Sequence, residues 1–338
     1  MTKSRHNVSA AFTDQFGRSK RKLRISVTDR CNFKCVYCMP EHPEWMKKHQ
    51  LLSFEALFQF CQFMVQRGIE HIRITGGEPL MRQGVVHFIA ELQKLRPLGL
   101  KQISMTSNGH YLKKYAQALK LAGLDNLNIS LDSLNATQFE QLTQKQLAPV
   151  LEGIQAALAV GLPVKINTVL MQGTNEDQII PLVQWAKDLG IPLRFIEFMP
   201  LDGDRRWTAE HVVSEHQILN TLASTFSIQT LTEPTRSPAR QYLVDGHPIG
   251  IISTITHAFC GECDRVRLTA QGEFYNCLFA TQGLALKKEI EQLEAETTLS
   301  PNGLEQKLAA YIWNKNAGFH AIQAQQTHRK ISMHMIGG

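Results

Sequence analysis

The sequence predicts a parallel α/β fold, and three observations predict it. Short β-like apolar runs recur up to about residue 200. A segment of helical period follows each of them. Gly stands where several of those segments should end, as at Gly68, Gly123 and Gly161.

The first strand covers 23–28, "LRISVT". A helix over 53–67 follows, with Ser53 placed to cap it and Gly68 to close it. Phe54, Leu57, Phe58, Cys61 and Met64 share one face of that helix, so Cys61 reads as a core cysteine. Further strands are expected at 71–75, 101–106, 126–131, 164–170 and 192–198. Between them lie helical segments near 84–95, 112–122, 135–143, 149–160 and 175–190. Such strands connect by right-handed crossovers. They form an open doubly wound sheet or part of a barrel, and pattern alone does not separate the two. After about residue 205 the alternation is lost. A helix near 211–225 leads into strands within 241–246, 249–255 and 265–279, then helices near 283–293 and 301–314. This region reads as a C-terminal α+β extension docked on the barrel, dividing the chain into 1–205 and 206–338.

The chain has 338 residues, 43% hydrophobic and 20% charged, as expected of a soluble globular protein. No apolar run approaches the roughly 18 residues of a membrane span. The opening "MTKSRHNVSA" lacks the apolar stretch of a secretory signal, so the cytoplasm is expected. There cysteines are ligands or catalysts more often than disulfide partners. The mild excess of 36 basic over 30 acidic residues suits an anionic partner such as a phosphorylated substrate. The densest basic run, "GRSKRKLR" (17–24), reads as a solvated basic arm.

In parallel β/α folds chemistry collects at the carboxyl ends of strands. Distinctive residues fall there repeatedly. Cys31, Cys35 and Cys38 follow strand one, spaced C-x3-C-x2-C; "GGEP" (76–79) follows strand two; "TSNG" (106–109) follows strand three. Ser130 and Asp132 end strand four, Asn167 lies in strand five, and "EFMP" (197–200) ends strand six. Three thiolates without a near fourth suit an iron–sulfur cluster with one open iron. A zinc ion completed by a distant residue, such as His42 or His49, is the alternative. A second triad, Cys260, Cys263 and Cys277, is spaced C-x2-C-x13-C and also lacks a fourth thiolate. In "DRVRL", Arg265 and Arg267 fall on one face of a strand, where paired guanidiniums suit a polyphosphate.

The first triad followed by "GGEP" closely resembles the radical S-adenosylmethionine (SAM) enzymes. That resemblance implies a partial (β/α)6 TIM-like barrel and a 4Fe–4S cluster held by Cys31, Cys35 and Cys38, whose open iron chelates SAM. It places Tyr37 beside the adenine, Gly76, Gly77 and Glu78 at the methionine moiety, and Ser130 and Met199 at further SAM positions. "FGRSKRKLRISVTDRCNFKCVYCMP", "IRITGGEPLMR", "RFIEFMP", the second triad and the terminal "IGG" together resemble the GTP 3',8-cyclase family, lyases that open molybdenum cofactor biosynthesis. The likeness runs from about residue 14 to the last glycine. Ser107 stands where threonine is common, and Asp264, left without a role, where a neutral polar residue is common.

From this family the resemblance implies a second 4Fe–4S cluster on Cys260, Cys263 and Cys277 that holds the guanine edge. GTP contacts fall on Arg24, Arg73, Thr106, Lys165, Arg265 and Arg267, the last two also catalytic. A deoxyadenosyl radical takes the ribose 3' hydrogen and the sugar carbon then joins C8 of the guanine. The tail Gly337-Gly338 enters the active site. Implied partners are cyclic pyranopterin monophosphate synthase as receiver of the product, a flavodoxin or ferredoxin as reductant, and a possible second copy in a homodimer; no stable nucleic acid and no membrane are expected. A peptide-modifying radical enzyme and a zinc or RNA-binding module built on the basic arm are the rival readings.

Overall fold

The computed structural model describes residues 12–201, 207–231, 238–295, 301–323 and 332–337, without the side chains of 301 and 302. Six strands come first: β1 (Lys22–Ser26), β2 (His71–Thr75), β3 (Gln102–Ser107), β4 (Asn126–Ser130), β5 (Val164–Leu170) and β6 (Leu193–Glu197). Helices α1 (Phe54–Val65), α2 (Val85–Leu92), α3 (Leu112–Leu121), α4 (Ala136–Thr143), α5 (Ala148–Ala159) and α6 (Ile179–Asp188) connect them. Ser53 caps α1 as expected, its Oγ accepting from Ala56 N at 2.9 Å. α2 gives way to a tighter turn over Gln93–Leu98 that contains Pro97, whose ring cannot continue an α-helix.

β1 to β6 pair in parallel and in sequence order. An order with no reversal winds in one direction, so helices cover one face and the other face curls inward as a barrel. The outward positions are apolar: Leu23, Ile25, Ile72, Ile74, Ile103, Leu127 and Ile129 are fully buried in one core with Leu57, Phe60, Cys61 and Met64 of α1. The inward positions are polar. Arg267, Arg24, Arg73 and Ser104 lie side by side across four neighbouring strands.

The rest of the chain supplies α7 (Glu215–Ala223), β7 (Ile228–Leu231), β8 (Arg240–Val244), β9 (His247–Ile252), β10 (Arg265–Leu268), β11 (Glu273–Tyr275) and β12 (Leu284–Ala285). It ends with α8 (Lys287–Glu294), α9 (Pro301–Trp313), α10 (Phe319–Gln323) and α11 (Met333–Ile336). This extension joins the barrel strand to strand. β9 adds in parallel to β6 and β10 in parallel to β1, so it continues the sheet at both open edges. β8 and β7 run antiparallel beyond β9, and β11 and β12 beyond β10. The outermost strands, β12 and β7, do not pair with each other, so the sheet stays open. β7 and β12 were not expected; they are short, and three of the four β7 residues are exposed, which gives no apolar pattern to read.

Candidate active site

The loop after β1 carries the first triad. Cys38 N and Met39 N both donate to Cys35 O, Phe33 N donates to Cys31 Sγ at 3.4 Å, and Asn108 Nδ2 lies 3.7 Å from the same sulfur. Tyr37, between two of the cysteines, donates its hydroxyl to Asp132 Oδ2 at 2.7 Å, and Val169 N donates to the other oxygen. Burial pushes the Cys31 thiol up to about 12, with Glu78 adding to it. Burial also raises Cys35 and Cys38, and Asp132 opposes ionisation of both. Left alone these thiols stay protonated; a soft metal group that displaces the protons is what such a donor set fits.

Glu78 lies beneath this loop, fully buried, and accepts from Leu80 N (3.0 Å), Asn108 N (2.8 Å) and Ser107 Oγ. It ties the turns after β2 and β3 together. Gly77 N donates to Thr28 O and Glu78 N to Arg30 O, so the loop after β2 runs tightly along the loop after β1. A Cβ on Gly77 would stand 2.3 Å from Arg30 O, and one on Gly76 2.5 Å from Thr28 O. The glycines therefore meet a need inside the protein: they let the cysteine loop approach, beyond any approach by SAM.

A cavity of about 1320 Å³ occupies the barrel interior. Arg24, Arg73, Lys165, Arg194, Arg265 and Arg267 line it. Burial pulls Arg24 well below its ordinary value, and repulsion from Arg267, Arg73 and Arg265 adds to that. Burial, then Arg194 and Arg265, bring Arg73 to about 10; burial, then Arg194 and Arg73, bring Lys165 to about 8. Among the described residues no carboxylate lies within ion-pair distance of Arg24, Arg73 or Arg265, while Lys22 at the edge pairs with Asp264 at 3.0 Å. Asp264 thus has a role after all. The Asn128 amide lies 3.0 and 3.1 Å from the two terminal nitrogens of Arg73, and with its oxygen on that side it accepts from both. Higher in the barrel the buried Ser26 Oγ, Thr106 Oγ1 and Asn167 Oδ1 have no hydrogen-bond partner. Cations crowded around one cavity and orphaned polar atoms are costly unless a ligand completes them.

The second triad borders the same cavity. Cys263 lines both it and a smaller cavity of about 40 Å³ shared by Cys260, Cys277, Arg265, Arg267 and Lys315. Burial raises the Cys260 thiol. Burial also opposes the Cys263 thiolate, but Arg265 and Lys315 outweigh it and bring the group down to about 5. Arg265 also lies over the Phe259 ring at 4.8 Å. Gly318 packs where a Cβ would come within 2.8 Å of Cys260 Cβ.

The basic run 17–24 is not a solvated arm. Arg18 and Lys20 are buried and share Asp14, at 2.7 and 2.6 Å. Arg18 also donates to the carbonyls of Cys260, Asn316 and Ala317, and Lys20 to that of Cys263. Their cations are directed at carbonyls about 240 residues away in sequence, a relation that local composition cannot display. Arg18 and Lys20 are thereby engaged within the protein.

At the other end of the chain, α11 brings Gly337 into the barrel. Arg267 Nη1 donates to Gly337 O, and a Cβ on Gly337 would fall 2.3 Å from Thr75 Cγ2 and 2.9 Å from Ser26 Oγ. Gly338 lies outside the described residues.

Most of the expected residues thus meet around one chamber. Arg24, Arg73, Lys165, Met199, Arg265 and Arg267 line it, Thr106 stands on β3, and Ser130 ends β4 beside Asn167. His42 and His49 are both exposed, and among the described residues no three His, Cys, Asp or Glu side chains are grouped to hold a metal ion. Sequence reasoning missed Lys22, His71, Arg194 and Arg240 at the cavity; the period-two alternation of Lys22 with Arg24 and of His71 with Arg73 could have found two of them. It also missed Asp14, Arg18, Lys20 and Lys315 behind the second triad, for which no local signal exists.

Two family descriptions match the chain: "Radical SAM superfamily" over residues 25–186 and "Molybdenum Cofactor Synthesis C" over 191–321. A GTP 3',8-cyclase of Streptomyces coelicolor is 41% identical over 337 residues, 96% of each chain. One of Staphylococcus haemolyticus is 36% identical over 346 residues, 97% of this chain and 99% of its own. Among solved structures, SuiB of Streptococcus suis bound to precursor peptide SuiA superposes with a TM-score of 0.64 at 13% identity, over 94% of this chain and 76% of that one. That last likeness concerns the fold alone.

Proposed function

The chain belongs to the GTP 3',8-cyclase family of the radical SAM superfamily, and from that premise we propose which of its residues do the work. The reaction is the radical SAM cyclisation of GTP to (8S)-3',8-cyclo-7,8-dihydroguanosine 5'-triphosphate, a lyase step of molybdenum cofactor synthesis. Cys31, Cys35 and Cys38 would hold one 4Fe–4S cluster and Cys260, Cys263 and Cys277 a second, three thiolates for each. When bound and reduced, the first cluster supplies the electron that cleaves SAM.

The remaining work belongs to the protein. Tyr37 and Asp132 hold the cysteine loop to the end of β4. Gly76, Gly77 and Glu78 bind SAM through the backbone and pin the neighbouring loops, and Ser130 and Met199 complete its pocket. Arg24, Arg73, Lys165, Arg265 and Arg267 grip the triphosphate, and Thr106 offers a free hydroxyl. Arg265 and Arg267 lie between the cavity and the second triad, so the phosphate chain and the guanine edge are held from one strand. The single observation that carries this reading is the cluster of mutually repelling cations that line the cavity beside Cys263. A polyanion is the ligand that compensates them. The continuous wall of β1 to β6 shields one side of the chamber from water.

The domain division at 205/206 belongs to the same reading, as do handover to cyclic pyranopterin monophosphate synthase, a flavodoxin or ferredoxin as electron donor, a homodimer and a cytoplasmic site of action. These rest on the family resemblance. No helix among the described residues is long and apolar enough to cross a membrane.

The test is anaerobic reconstitution with iron and sulfide, followed by assay with SAM and each nucleoside triphosphate under reductant. Deoxyadenosine released only with GTP supports the assignment. Serine replacement of either triad should remove about four irons and leave about four. Loss of all iron from one replacement, or of none, rejects two independent sites.

A further inference from the structure

We propose that Lys315 is a positioning residue for the second triad, donating an N–H···S hydrogen bond to Cys263 and raising the electron affinity of the iron–sulfur group held there. The inference rests on the reading that Cys260, Cys263 and Cys277 hold such a group. Lys315 Nζ lies 3.3 Å from Cys263 Sγ and 3.3 Å from Arg265 O. The residue is only 2% exposed, and its side chain lines the small cavity between the three cysteines. Its backbone is fixed on both sides: Lys315 N donates to Ile312 O, and Lys315 O accepts from Gln15 Nε2.

Among the described residues no carboxylate lies within ion-pair distance of Lys315. The nearby carboxylate, Asp14, is already shared by Arg18 and Lys20. The counter-charge for the Lys315 ammonium is therefore the thiolate triad and whatever it binds. Electrons added to an iron–sulfur group spread onto its sulfurs. A buried cation donating to one of them stabilises the reduced form more than the oxidised form, because screening is weak away from water. The first triad has the opposite surroundings, with Glu78 and Asp132 as its charged neighbours. The two triads are thus built into environments of opposite sign, and Lys315 is the part of that difference that touches a sulfur.

The test uses the full-length chain carrying Cys31→Ser, Cys35→Ser and Cys38→Ser, reconstituted anaerobically so that only the second triad can hold iron. Lys315→Met and Lys315→Arg are then compared with this parent by iron per chain and by an EPR-monitored redox titration with dithionite and mediators. The expected result is full iron in K315M with about a tenfold lower reduced-to-oxidised ratio at fixed poise, about 59 mV for one electron, largely restored in K315R. An unchanged midpoint in an iron-replete K315M overturns the role of Lys315. Iron lost in K315M but kept in K315R supports it through the charge. Iron lost in both shows that packing alone matters and overturns it. A parent that binds no iron overturns the two-cluster reading itself, a result separable from an iron-replete parent with an indifferent Lys315.

Discussion

The Tyr37 hydroxyl donates to Asp132 Oδ2 at 2.7 Å, tying the loop between two cysteines of the first triad to the end of β4. The carboxylate is buried, and burial raises it to about 6 against the bonds from Tyr37 and Val169 N. Tyr37→Phe leaves it one donor short, at a cost of about 1–3 kcal/mol in the unfolding free energy. Chemical denaturation of the iron-free chain measures this; an unchanged midpoint would mean that solvent replaces the phenol.

Glu78 gives the stability a pH dependence. Burial raises its carboxyl to about 7 from 4.5, against the bonds from Asn108 N, Leu80 N and Ser107. Between those values the folded chain holds a proton that the unfolded chain has lost. Stability is therefore greatest below the lower value and falls as pH rises towards 7, by about 3 kcal/mol in full. Urea midpoints of the iron-free chain from pH 5 to 8 should fall, and Glu78→Gln should flatten most of the slope, leaving the smaller part due to Asp132.

A methyl group at Gly77 would collide with backbone at Arg30 O and Asp29 O, 2.3 and 2.5 Å away. Backbone cannot yield as a side-chain tip can. Gly77→Ala should destabilise the chain by about 1–3 kcal/mol and shift the cysteine loop. Reconstitution should then lose iron from the first triad while the second keeps its share; equal retention at both triads would contradict the packing role.

Lys165 is held down to about 8 by burial and by Arg194 and Arg73. Its charged form is disfavoured by folding, so Lys165→Met should stabilise the ligand-free chain at neutral pH. That advantage should fade as pH rises through about 8 towards the ordinary lysine value. The same change should weaken GTP binding by about tenfold or more, the scale of one charge-assisted hydrogen bond. Calorimetric binding and thermal melts across pH report both signs; a variant that is less stable and binds GTP normally would refute the cation-chamber account.

Gly337 sits at φ 76°, with Thr75 and Ser26 where its Cβ would be. Gly337→Ala should eject the tail from beside Arg267. Limited proteolysis should then clip the C-terminus faster than in the parent, at unchanged thermal stability. Equal cleavage would show that the tail enters by other contacts.

Much of the fold was legible. The positions of β1 to β6 were set within a residue or two by apolar runs, and α1 by Ser53 and its apolar stripe, because these signals lie within one element; the single run expected over 265–279 is two strands, β10 and β11. The cysteines and Arg265/Arg267 were legible for the same reason. Edge strands β7 and β12 were not, since runs of four and two residues are too short to show a period. The basic run 17–24 misled, because Arg18 and Lys20 find their partners on Cys260, Cys263 and the segment around residue 316.

Spacing along the chain carries ligand chemistry, the helical and extended periods and the alternation of sides on a strand. From these the thiolate triads, the parallel strands and the facing arginines followed. Apposition of distant segments is not written in any spacing, since it depends on how the strands close and which edges remain. Only the folded chain shows that β9 and β10 continue the sheet beyond β6 and β1, that Asp14, Arg18 and Lys20 back the second triad, and that Lys315 reaches Cys263. The physical reason is that burial and Coulomb repulsion act through space: the same lysine is solvated in an open chain and becomes a fixed charge beside a sulfur once water is excluded.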